Sequence, residues 1–244
     1  MEIYDTLLLG SGYYAVGYAE ARGNCLIVEE GQVADTQFYL PMRGFSSGAM
    51  EPSTEAGRRL YDTVAGMGLI GRGGLCVNGL ESALARHILT IGVRLRLKCR
   101  AVEQVAEGDL CRVVLSSNAG LCTVYARRVL DTRPRPERRF VTVLVQSDRP
   151  YAELAPLLHA FPGAELSCAF YEGRYALTVP ADGYDENSVK VMIWERFPRL
   201  LGVKILYIAP AFLASHCQGQ PTDAAYDDPI QAYEAGYRAG EVRA

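Results

Sequence analysis

The sequence predicts an α/β fold built on a parallel sheet, with a small antiparallel α+β segment inserted late in the chain. Three observations carry this. The first thirty residues read strand, glycine turn, helix, strand. The middle of the chain alternates helical spacing with short strands. Residues 140–209 read strand, helix, hairpin, helix, strand, which suits a small antiparallel sheet with helices on one face.

Thr6-Leu7-Leu8-Leu9 is uniformly apolar, as in a strand buried on both faces. It runs into Gly10-Ser11-Gly12-Tyr13-Tyr14-Ala15, then a helical stretch broken at Arg22-Gly23-Asn24. Cys25-Leu26-Ile27-Val28 is the next strand and ends in Glu29-Glu30. A helix is expected over Thr54 to Met67, with Ser53 or Thr54 as its cap. A second helix begins at Gly79. It places Leu80, Ala83, Leu84, His87 and Ile88 on one face, so His87 reads as a packed core residue. Val93–Leu97 alternates, and strands start at Val102, Cys111 and Cys122. Val129-Leu130-Asp131-Thr132 is a short buried strand with a polar tip. In the inserted segment, strands at 140–146, 166–171, 174–179 and 204–209 flank helices at 151–161 and 187–197. A last helix starts at Pro229, whose missing N–H costs nothing in a first helical turn.

The opening pattern has the parts of a dinucleotide site. Gly10 allows a tight turn out of the strand. Gly12 lets a pyrophosphate approach the backbone. Ala15 lets helix and strand pack closely. The first helical turn offers free N–H groups and a partial positive charge. Glu29 or Glu30 can accept from both hydroxyls of an adenosine ribose and disfavours a 2′-phosphate. Tyr13 and Tyr14 are bulky beside such a loop, so they either point aside or pack on the cofactor. The loops Arg43–Gly48 and Gly71–Gly74 are within reach of a cofactor, and Arg43 suits an anionic group. Each reads equally well as an exposed turn.

A formal net charge of −3 argues against a general nucleic-acid binder. No apolar run approaches the length of a membrane span, and the N-terminus lacks signal-peptide features. Seven cysteines, without a Cys-x-x-Cys pair, suggest reduced thiols and a cytoplasmic setting. Three histidines without paired cysteine spacing make a metal site unexpected.

Together these segments resemble the FAD-dependent oxidoreductases of the glutathione-reductase type. The resemblance implies a Rossmann-like FAD-binding domain over residues 1–139 and 210–244, interrupted by a small substrate domain at 140–209. It places backbone near the adenine at Val102. It puts the return strand beside the pyrophosphate at Thr132, although Asp131 and Arg133 stand where the family shows small residues. The family ends with a Gly-Asp signature before its last helix, and that aspartate holds the ribityl chain. The resemblance assigns this part to Asp228, or to Asp227, with the glycine missing. His216, in a polar stretch just upstream, would lie near the flavin and is the acid/base candidate. No second glycine fingerprint follows residue 140, and the family's redox Cys-x-x-x-x-Cys is absent.

The expected activity is hydride transfer between flavin N5 and a small organic substrate. Dimerisation would supply walls that one short protomer lacks. Two other readings stand beside it: a non-catalytic dinucleotide-binding sensor or accessory protein, and an NAD-dependent dehydrogenase.

Overall fold

The computed structural model describes residues 2–35, 37–42, 51–71, 74–135, 138–210, 212–215, 217 and 219–242. The chain runs β1 (Ile3–Leu9), α1 (Tyr13–Arg22), β2 (Cys25–Val28), α2 (Glu55–Gly66), β3 (Ile70–Gly71), β4 (Gly74–Leu75) and α3 (Val77–Ile91). Then come β5 (Arg94–Arg96), β6 (Cys99–Glu107), β7 (Leu110–Ser117), β8 (Gly120–Asp131) and β9 (Arg138–Gln146). The last part is α4 (Tyr151–Leu154), β10 (Glu165–Cys168), β11 (Arg174–Pro180), α5 (Glu186–Leu201), β12 (Lys204–Ile208), β13 (Leu213–Ser215) and α6 (Pro229–Glu241).

One sheet has the order β5-β2-β1-β8-β7-β6. Its strands β5, β2, β1 and β8 are parallel, while β8, β7 and β6 form an antiparallel meander. Successive side chains of a strand point to opposite faces, and here both faces are covered. Leu8 and Ile27 pack with α1, α2, α3 and α6. Leu7, Leu9, Leu26 and Val28 pack against Val113, Leu115 and Val124 of the meander. That double burial is why β1 and β2 read as unbroken apolar runs.

The second sheet orders β10-β11-β9-β12, with β13 pairing to β9 as well. Val141, Val143 and Val145 of β9 join Tyr175, Leu177 and Val179 of β11 in a core with Val189, Ile193 and Phe197 of α5. The alternate positions, Thr142, Leu144, Arg174 and Ala176, face the other way.

Helices α1 and α6 approach each other closely. A Cβ on Gly17 would collide with the Tyr233 carbonyl, and one on Gly236 with the Tyr14 carbonyl. Glu234 of α6 caps α2 from a distance. Its carboxylate accepts from the N–H groups of Ser53 and Thr54, each at 2.6 Å, and from both hydroxyls. Burial opposes its charge, but these hydrogen bonds outweigh burial and hold its pKa below the usual value. Within α2 itself the cap is Thr54, which accepts from Gly57 N.

Two local expectations change. The helix expected over 151–161 stays α-helical only to Leu154 and continues as a 3-10 turn, Ala155–Ala160. Pro156 has no N–H for an i→i−4 bond, so the tighter turn follows. The strand Leu213–Ser215 lacked a periodic signal and forms by pairing with β9. No helix among the described residues is long and apolar enough to cross a membrane.

Candidate functional site

The glycine loop is closed from two sides by the ends of neighbouring strands. Gly10 has φ +98°, and its N–H donates to the Val28 carbonyl at 2.8 Å. Thr132, just past β8, donates its hydroxyl to the carbonyls of Leu9 and Gly10 at 3.0 and 2.8 Å. The chain then extends through Gly12 into α1, whose first turn presents the N–H groups of Tyr13 and Tyr14. Both N–H groups converge on one anionic group, the carboxylate of Asp223. Tyr13 N lies 2.9 Å from Oδ2 and Tyr14 N 2.6 Å from Oδ1. Asp223 opens the 3-10 turn Asp223–Ala225 and is 3% exposed. A Cβ on Gly12 would strike this carboxylate, so the close approach requires glycine there. The space left in the loop is about 10 Å³, lined by Gly10, Ser11, Gly12, Gln37, Thr132 and Asp223 among others. That is room for about one water.

Glu29 sits where the end of β2 meets the loop and is buried. One of its oxygens accepts from Ser11 N at 2.9 Å and the other from Gly31 N at 2.7 Å. The Ser11 hydroxyl lies between Glu29, at 3.0 Å, and the Ala34 carbonyl, at 2.7 Å. Glu30 points outward and pairs with Arg133 at 3.1 Å. Arg133 also pairs with Asp131 at 2.9 Å, and its stem lies over Gly10. Burial works against the Asp131 charge, but the Arg133 hydrogen bonds outweigh it and hold the carboxyl below its usual range. The residues that depart from the family's small signature thus brace the loop from above.

The tyrosine pair points aside. Tyr13 is fully buried, donates to the Leu80 carbonyl at 2.8 Å and meets Phe38 edge-on. Burial, with nearby Asp35 and Asp223, pushes its phenol well above the ordinary pKa. Tyr14 stacks on Tyr226 at 6.2 Å, and burial raises it to about 12. Ala15 is buried. What these residues offer a ligand is therefore backbone N–H, while their rings belong to the core.

Asp228 is the N-cap of α6, as the sequence leads one to expect, accepting from Ile230 N and Gln231 N at 2.8 and 2.9 Å. The acid that reaches the glycine loop is Asp223, which the sequence reading missed. The available signal was the Thr222-Asp223 pair, upstream of a second acid already suited to cap the helix. Val102 lies at a bulge of β6 with its side chain exposed. Arg96, Lys98 and Cys99 hydrogen-bond at the end of β2: the Arg96 carbonyl accepts from Glu29 N, and the N–H groups of Lys98 and Cys99 donate to the carbonyls of Gly31 and Glu29. Arg43, its loop to Gly48, and His216 lie outside the described residues. His87 is buried and hydrogen-bonds the Tyr233 hydroxyl at 2.9 Å, as a core residue would.

A cleft lies between the second sheet and the segment formed by residues 39–42, β4 and the start of α3. A cavity of about 460 Å³ is bordered by Tyr39, Met42, Asn78, Leu144, Arg174 and Tyr207. A narrower one of about 60 Å³ shares Met42, Asn78, Leu144 and Arg174 and is walled by Phe170 and Tyr171. The Arg174 guanidinium rests 4.9 Å over the Tyr171 ring. Among the described residues no carboxylate pairs with it. Among the same residues, no group of three or more His, Cys, Asp or Glu is placed to hold a metal ion.

The donor chemistry fits an anionic dinucleotide. Asp223 serves as a stand-in ion, showing that the first turn of α1 gathers two N–H groups on one anion.

No family model and no curated protein matches the chain. Solved structures do match. The p-nitrophenol 4-monooxygenase of Pseudomonas putida DLL-E4 is 16% identical, with TM-score 0.55 over 87% of this chain and 68% of its own. A flavoprotein/dehydrogenase of Cytophaga hutchinsonii is 14% identical, with TM-score 0.54 over 98% and 77%. BexE, studied for oxidation during BE-7585A biosynthesis, is 11% identical, with TM-score 0.56 over 97% and 60%. At these identities the likeness is one of architecture: the chain has the mixed α/β, Rossmann-like fold of such flavoproteins.

Proposed function

We propose that this chain is an FAD-binding oxidoreductase related to the glutathione-reductase type, acting on a small organic substrate. The observation that carries the reading is the convergence of Tyr13 N and Tyr14 N on an anion at the glycine loop, beside a buried acid at the end of β2. In this reading those N–H groups hold the diphosphate. Glu29 accepts from the adenosine ribose with the oxygen capacity that Ser11 and Gly31 leave. Bound FAD would supply hydride exchange at flavin N5.

The chain's own residues do the rest. Thr132 and Arg133 hold the loop shut over Gly10. Residues 1–139 and 210–244 form the cofactor domain in this reading, and 140–209 the substrate domain. The substrate enters the cleft beside the second sheet. Met42 and Leu144 exclude water there, and Asn78 and Arg174 orient polar or anionic groups. His216 stays the proposed acid/base group and Arg43 a proposed anion contact.

Titration of the purified protein with FAD tests this. Quenching of flavin fluorescence and a rise in Tm are expected, followed by bleaching under a reductant such as NADH without air. Unchanged fluorescence and Tm at saturating FAD would sink the reading. One observation favours the non-catalytic alternative: Asp223 already occupies both N–H groups. A flavin that binds but accepts electrons from no donor would move weight there.

A further inference from the structure

We infer that the cleft takes an amphiphilic monoanion: a slim apolar body whose acidic end is held by Arg174 and whose far end carries a neutral polar group received by Thr142. Calling that ligand the substrate rests on the oxidoreductase reading above, which the inference deepens. Three observations carry it. The first is charge. Among the described residues that border either cavity, Arg174 is the one charged side chain. Its guanidinium rests on the Tyr171 ring, and no carboxylate among the described residues pairs with it. A guanidinium held this way offers its fork of donors to a carboxylate. The second is an unmet hydroxyl. Thr142 is 1% exposed and borders the narrow cavity, and its Oγ1 is buried without a partner. Buried polar atoms are normally paired, so a polar group entering the cavity would complete this one. The third is register. Thr142 pairs with Thr178, four residues along β11 from Arg174. At the backbone the two polar positions are therefore about 13 Å apart. Between them lie Leu144 and Ala176, which pair with each other on the same face of the sheet. Phe170 and Tyr171 wall this apolar stretch.

A buried hydroxyl without a partner costs stability in the ligand-free protein. Valine has nearly the same shape and no polar atom, so Thr142→Val removes that cost. A hydroxyl that serves the fold would lower Tm when lost. One that serves a ligand would raise Tm when lost and weaken binding, so the two readouts separate the cases.

The probe is 4-hydroxycinnamate, compared with cinnamate, which lacks the distal hydroxyl, and 4-hydroxycinnamamide, which lacks the charge. Calorimetry measures all three on the protein with and without FAD, and Tm is measured without probe. The wild type is expected to bind 4-hydroxycinnamate about tenfold more tightly than the amide and about fivefold more tightly than cinnamate. Arg174→Gln abolishes the first preference, and Arg174→Lys keeps part of it. Thr142→Val abolishes the second preference while its Tm rises above that of the wild type. A wild type that binds none of the probes, or binds acid and amide alike, overturns the inference without any variant. A lower Tm in Thr142→Val, with the preference for the hydroxyl intact, overturns the part given to Thr142. FAD binding without any charge preference strikes this inference alone. An Arg174-dependent charge preference in a protein that does not bind FAD strikes the oxidoreductase reading and leaves the cleft as a binding site for the acid.

Discussion

Asp35 and His87 are both buried, and they pull stability in opposite directions with pH. Burial raises Asp35 to about 6, against the N–H groups of Phe38, Tyr39 and Gln37 that favour its charged form. Its Oδ2 has no partner among the described residues, which suits a protonated acid. An acid raised on folding contributes stability below its unfolded pKa of 3.8 and loses it as pH rises through about 6. Burial, then Arg59, lowers His87 to about 4. It contributes stability above its unfolded pKa of 6.5 and loses it as pH falls through about 4. Asp35→Asn removes only the first effect. The variant should gain up to about 3 kcal/mol relative to wild type between pH 4 and pH 6.5. Urea unfolding across that range checks this, and parallel curves for the two proteins would contradict it. His87 was legible as a core residue from its place on an apolar helical face. Asp35 gave no such signal, because its depth comes from tertiary burial that no local pattern records.

At the scale of elements, the contact between α1 and α6 depends on missing side chains. Alanine has better helix propensity than glycine by about 1 kcal/mol, so at an exposed helical site Gly236→Ala would stabilise. Here the added Cβ would meet the Tyr14 carbonyl, a backbone atom that cannot step aside. The variant is expected to be destabilised by about 2 kcal/mol. It should also loosen the Tyr14–Tyr226 stack, visible as a change in near-ultraviolet circular dichroism. A neutral or stabilised variant would mean that the two helices separate at little cost. Most element boundaries were readable because their causes are local: Pro229 and Asp228 start α6, and Gly92 ends α3 in a left-handed cap. The strand at 213–215 was not, because its order comes from β9, far away in sequence.

At the scale of the whole molecule, the second sheet has an apolar core of its own, separate from the clusters on the two faces of the first sheet. Phe197 is fully buried in the core of the second sheet, stacked on Phe161 at 4.2 Å. Phe197→Ala should cost about 3–4 kcal/mol through the cavity it leaves. ADP affinity should stay unchanged, because none of the loop residues belongs to that core. Chemical denaturation and calorimetry on the same variant check both halves, and a parallel loss of ADP binding would show that this core and the glycine loop are coupled. The cleft joins residues that no local pattern could associate: Asn78 at the start of α3, Leu144 in β9 and Arg174 in β11.

By itself, the sequence determined the strand, glycine turn, helix and terminal acid of its first thirty residues. Those features arise from apolar runs, glycine geometry and helix N–H groups within a few residues of each other. Only the tertiary structure decided which acid meets that turn. Asp223 lies 210 positions from Tyr13, and Asp227 and Asp228 are the same residue type in the same stretch. The choice was made by α6: its N-terminus holds Asp228 as a cap, and its packing on α1 brings the preceding turn against the glycine loop.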